Sequence, residues 1–185
     1  MSLADLLARS GRVDQAAAEY QLAIQARAAY AEPYNGLGAI RLAQGRIAES
    51  KEALETALRI DPENAGAHNN LARLLAAQGQ PRQALNSARR AVSLDPENAE
   101  MRLNLGRLLY ALGEHRAATV AFESLARTKP DFAEARLSLG IAYGEAGRLD
   151  AAIREFQEAL RIHPGHAEAR KNLELAIELR AAGPR

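Results

Sequence analysis

Apolar residues along this chain recur at steps of three and four, and all such runs but one are closed by a glycine or a proline. In the stretch beginning at Ala65, Leu71, Ala72 and Leu75 fall on one face at helical spacing. Gly79 follows, where a helix can end in the left-handed conformation that glycine adopts without strain. Pro81 suits the first turn of a second helix. The stripe of that helix is Ala84, Leu85, Ala88, Ala91 and Val92. Asp95-Pro96 ends it, because proline disfavours helical geometry in the residue before it. Asn98 then stands where an N-cap is needed. The pattern predicts helix, glycine turn, helix, proline turn.

The whole unit returns at a constant step of 34 residues, through Gly11, Gly45, Gly79, Gly113 and Gly147. Leucine keeps the same step at Leu3, Leu37, Leu71, Leu105, Leu139 and Leu173, and the pentapeptide DPENA occurs at 61–65 and 95–99. A period of this size marks a solenoid. Helices of ~14 residues, ~21 Å long, do not stand alone in water, so stacking must bury their apolar faces. The register gives one array over 1–181, with hairpins at about 1–30, 31–64, 65–98, 99–132 and 133–166 and a capping helix at 167–181. A tail covers 182–185. The cap is expected to turn Leu173 and Ile177 inward, to meet water with Glu168, Arg170, Lys171, Glu174, Glu178 and Arg180, and to stop at Gly183-Pro184. The first hairpin is incomplete: Met1 falls at the fifth position of the unit, and Arg27-Ala28 replaces the Asp-Pro pair. Leu3, Leu6 and Leu7 are expected to lack cover there.

Numbered from Ala31, Ala65, Ala99 and Ala133, these columns resemble the tetratricopeptide repeat over nearly the whole chain. The small eighth residue is Ala4, Gly38, Ala72, Gly106 and Gly140, and the small twentieth is Ala16, Ser50, Ala84, Ala118 and Ala152. The large twenty-fourth residue is Tyr20, Leu54, Phe122 and Phe156, with Ala88 departing from it. Proline at position thirty-two is Pro62, Pro96, Pro130 and Pro164. The tryptophan often seen at position four is absent. The resemblance implies an all-α, right-handed α-solenoid of about five hairpins plus the cap. It also implies a scaffold for protein or peptide contacts with no catalysis.

In that family the first helix of each hairpin lines a concave groove. Carried over, the sixth column is Gly36, Asn70, Asn104, Ser138 and Asn172, with Asn35 and Asn69 at the fifth. A carboxamide both donates and accepts, so a row of Asn can pair with a peptide backbone whatever its side chains. The same face carries the acids Asp5, Glu32, Glu100, Glu134, Glu145, Glu168 and Glu178 against Arg9, Arg73, Arg107 and Lys171. Leu103, Tyr110, Leu137 and Ile141 give it an apolar patch, the composition of a binding hot spot. The groove candidates are therefore Asn35, Asn69, Asn70, Arg73, Leu103, Asn104, Arg107, Tyr110, Leu137, Ile141 and Asn172. The expected ligand is an extended or helical segment with apolar anchors and some basic residues. A clamp for a carboxylate tail is rejected, because it needs a lysine at position two, where Glu32, Glu100, Glu134 and Glu168 stand.

Composition removes other classes. Net charge is +1, too little to draw nucleic acid or an anionic membrane, and the acidic groove argues against base reading. There is no cysteine, and no stretch approaches the ~20 apolar residues of a membrane span. His163 and His166 flank a Pro-Gly turn, a weak ligand pair, so no metal and no cofactor are expected. No nucleophile, base and orienting group come together. The expectation is a cytoplasmic monomer that recruits a partner. The alternatives are a substrate-recognition or regulatory segment of a larger enzyme, and homo-oligomerisation through the truncated first hairpin.

Overall fold

The computed structural model describes residues 2–183. Among them stand eleven helices and no strand. Six fall in a first compact unit, Met1–Pro96, and five in a second, Glu97–Arg185. In the first unit they are α1 Leu3–Arg9, α2 Val13–Ala26, α3 Ala31–Ala43, α4 Ile47–Ile60, α5 Ala65–Ala77 and α6 Pro81–Leu94. In the second they are α7 Ala99–Ala111, α8 His115–Thr128, α9 Ala133–Glu145, α10 Leu149–Ile162 and α11 Ala167–Ala182. The fold is an all-α helical repeat of the solenoid class. Within each unit, helices pair as hairpins, and each second helix also packs on the first helix of the next hairpin. Among the expected chain-end features, Met1, Pro184 and Arg185 lie outside the described residues.

The two kinds of turn have separate causes. Gly79 takes φ +72, and its four equivalents at 11, 45, 113 and 147 are likewise positive. The next amide reaches five residues back, Gln80 N to Leu75 O at 2.9 Å, which satisfies a carbonyl that the helix end leaves open. Pro81 then opens α6. At the other turn, Asn64 and Asn98 cap α5 and α7 by accepting from Ala67 N and Met101 N at 2.8 and 3.2 Å. The corresponding caps of α9 and α11, Phe132 and His166, make no such bond.

The core is built on small residues. Ala72, Ala84, Ala88, Ala91, Ala118 and Ala152 are fully buried, because close helix crossings leave no room for more. A Cβ added at Gly38, Gly106 or Gly140 would lie 2.7, 2.4 or 2.5 Å from Leu54, Phe122 or Phe156. The small eighth column is thus the socket for the large twenty-fourth. Ser50 stands where its neighbours in the column have alanine because its hydroxyl donates to Gly38 O at 2.8 Å.

Two burial expectations are corrected. Ile177 is 40% exposed, and Ala176 is buried in its place; neighbouring helical positions differ by about 100°, so only one can face inward. Leu7 is buried with Ala4, Ala16, Tyr20 and Ile40, whereas Leu3 and Leu6 are exposed as expected. In the leucine column, Leu139 is buried but Leu105 only half-buried. No helix among the described residues is long and apolar enough to cross a membrane.

Candidate functional site

The second unit carries a pocket of about 380 Å³. It is assembled from α7, α8, α9 and α11. Arg107 and Tyr110 come from α7, one turn apart; Leu137, Ser138 and Ile141 come from α9; Phe122 and Glu168 come from α8 and α11. Phe122 and Leu137 are 2% and 1% exposed, so they form a packed floor. Gly106 makes that floor possible, since a side chain there would strike the Phe122 ring.

The rim is polar. Arg107 donates from Nη2 to Glu134 Oε2 at 2.9 Å, and the other oxygen of Glu134 lies 3.1 Å from His166 Nε2. Glu134 therefore ties α7 to the turn that opens α11. The first unit has the same device: Asn64 Nδ2 donates to Glu32 Oε1 at 2.9 Å. These acids were expected to charge the groove; the structure uses two of them to fix successive hairpins. The Tyr110 hydroxyl is buried beside the Glu145 carboxylate but closes no hydrogen bond of ordinary geometry to it, and its ring is edge-on to His115 at 4.7 Å. Burial first, then the Glu145 carboxylate, push its phenol up to about 12.

The candidates divide by unit. Arg107, Tyr110, Leu137 and Ile141 meet at the pocket. Leu103 does not present a surface: at 1% exposure it belongs to the core, where burying a leucine gains about 1.5–3 kcal/mol. Asn104 is half-buried on the same helix. Asn172 turns back on its own helix, donating to Glu168 O at 3.0 Å. In the first unit, Asn70 donates to Asn35 Oδ1 at 2.8 Å and accepts from Arg73 Nη1 at 3.3 Å, while Asn69 is half-buried beside it. Sequence reasoning left out Phe122, Ser138 and Glu168. Phe122 was legible as a large residue opposite a glycine, though not as the wall of a cavity. Among the described residues, no group of three His, Cys, Asp or Glu is placed to hold a metal.

Family profiles described as tetratricopeptide repeat match residues 41–87, 75–140, 133–177 and 1–21. The chain belongs to the tetratricopeptide repeat family. Comparison with curated proteins gives no match. Among solved structures it is similar to YrrB, described as a TPR protein with an unusual peptide-binding site, at 28% identity and TM-score 0.69 over 95% of this chain and 89% of that one. It is similar to MamA at 27% identity and TM-score 0.69, over 91% of this chain and 98% of MamA. TTC0263, a thermophilic TPR protein of Thermus thermophilus, shares the fold at TM-score 0.81 and 24% identity, over 96% of each chain. In this TPR chain the pocket positions all lie on elements that the repeat itself defines, which makes the site a product of the family scaffold and of a few side chains set on it.

Proposed function

We propose that this TPR chain is a scaffold for protein–protein interaction that binds a segment of a partner along its first-helix faces, without chemistry of its own. The observation that carries the reading is the pocket of the second unit, where side chains of α7, α9 and α11 surround an apolar floor. The peptide-binding site named for YrrB supports it. Because the walls belong to packed helices, little ordering cost is incurred on binding. Site-directed photo-crosslinking tests the reading. A photoreactive residue at Arg73 or Arg107, on first helices, should form partner adducts; one at Arg89 or Gln157, exposed on second helices, should not. Adducts from the second helices alone would overturn it.

A second reading is self-association. It is favoured by Leu3 and Leu6, 58% and 50% exposed on α1. Light scattering that finds only monomer across a wide concentration range removes it.

A further inference from the structure

The pocket of the second unit combines two chemistries in a fixed arrangement. Its sides, the half-buried Tyr110 and Ile141, stand over the already packed Phe122 and Leu137 and gain free energy by meeting apolar surface. Its rim is charged, and the charge is not balanced. The Arg107 guanidinium is already engaged by Glu134 at 2.9 Å. Glu168 stands at the rim, and the Glu145 carboxylate acts on Tyr110. A ligand therefore meets an apolar hole beside uncompensated carboxylate. The volume, about 380 Å³, lies near the lower end of the range for ligand pockets. It accommodates a side chain with the backbone that carries it, and not a folded element.

We infer that this pocket seats one large apolar side chain, of leucine or phenylalanine size, from a partner segment in which lysine or arginine stands next to that residue. The inference rests on the scaffold reading above and names the partner chemistry it left open. The apolar anchor supplies the affinity, as buried anchors in pockets do. The basic neighbour supplies selectivity, since an acidic one would be placed against Glu168.

The probes are three short Gly/Ser peptides with Lys-Leu-Lys, Lys-Ala-Lys or Glu-Leu-Glu at the centre. Each is titrated into the isotopically labelled full chain and followed by amide chemical shifts in NMR. Lys-Leu-Lys is expected to shift Tyr110, Leu137 and Ile141. Lys-Ala-Lys should bind at least tenfold more weakly. Glu-Leu-Glu should also bind more weakly, and the gap between it and Lys-Leu-Lys should narrow as salt is added. Glu168→Lys, an exposed position whose variant is checked for helicity by circular dichroism, should reverse the order of the Lys- and Glu-flanked peptides. Equal binding of the Leu and Ala peptides, or an order unchanged by Glu168→Lys, overturns the inference. Shifts confined to Asn70 and Arg73 overturn it too, but leave the scaffold reading standing. Shifts confined to α8 and α10 overturn both. No shift from any peptide overturns the pocket chemistry alone, because the crosslinking experiment judges the scaffold independently.

Discussion

Replacing Gly140 by alanine tests how these hairpins lock together. A Cβ on Gly140 would stand 2.5 Å from Phe156 Cε1, 2.7 Å from Cδ1 and 3.0 Å from Cζ. Carbon atoms pack at about 3.5–4.0 Å, so the ring or the helix must move by about 1 Å. Phe156 is only 3% exposed and is held on all sides. In an open helix Gly→Ala gains about 0.8–1.0 kcal/mol, whereas forcing a methyl group into a packed core costs about 1–3 kcal/mol. The clash wins, and Gly140→Ala should destabilise by about 1 kcal/mol. Phe156→Ala alone should cost about 3–5 kcal/mol. On that background the new methyl has room, and Gly140→Ala should become stabilising by up to about 1 kcal/mol. The chain contains the matching natural pair, Ala72 with Ala88, both fully buried; Ala72→Gly should therefore destabilise by about 1 kcal/mol. Urea unfolding followed by far-UV circular dichroism, on both single variants and the double, gives the coupling. If Gly140→Ala stabilises equally in both backgrounds, adding within about 0.5 kcal/mol, the ring does not hold the socket and the reasoning fails.

Three further outcomes follow from the same packing. His166→Asn should stabilise by about 1 kcal/mol: Asn64, its equivalent, both caps its helix and reaches its glutamate, whereas His166 reaches Glu134 without capping α11. A urea midpoint unchanged or lowered in that variant would refute the equivalence. Tyr110→Phe removes a buried hydroxyl that lies by Glu145 without closing a hydrogen bond of ordinary geometry, and should be neutral or stabilising by about 1 kcal/mol. With its folded value raised to about 12 above the ordinary 10, Tyr110 contributes stability that is complete below about pH 10 and is lost as pH rises toward 12. Tyr110→Phe should flatten that alkaline loss in a pH series of unfolding curves. Leu139→Ala, at a buried position, should cost about 2–5 kcal/mol and Leu105→Ala distinctly less; equal losses would contradict the observed burial.

Much of the fold was legible because it is written in residues whose backbone demands are strict. A glycine that must take positive φ, as at Gly79, and a proline that can open a helix, as at Pro81, leave few alternatives, and their constant spacing multiplies the signal. Which side of each helix faces inward was less legible. Periodicity marks an apolar face but does not separate adjacent apolar positions, so Ala176 and Ile177 exchange roles between expectation and structure. Alanine adds to the difficulty. It reads as a filler in a sequence, yet here it is the residue that lets the helices approach. Acidic residues at position two were read as a field because only their type was visible. Their partners, Asn64 for Glu32 and His166 for Glu134, stand 32 residues on in both hairpins, a recurrence that a search for paired columns would have found.

That distinction between type and partner bears on where a ligand can dock. In the first unit, the carboxamide of Asn70 is spent on Asn35 and Arg73, and the ring of Tyr20 lies where a side chain on Gly36 would stand, 2.2 Å from its Cβ. A peptide backbone finds only the second amide hydrogen and second lone pair of Asn70, where it takes the place of water. Each exchange returns one hydrogen bond for another, and the net gain of such an exchange is small. In the second unit, a ligand that enters between Tyr110 and Ile141 displaces water from apolar walls and breaks no bond that holds the hairpins together. Area removed from water is a gain that the free protein has not already taken. The row of asparagines, which the sequence offers as the most recognisable binding feature, should thus be the weaker grip, and affinity should concentrate where the side chains are fewest in polar partners.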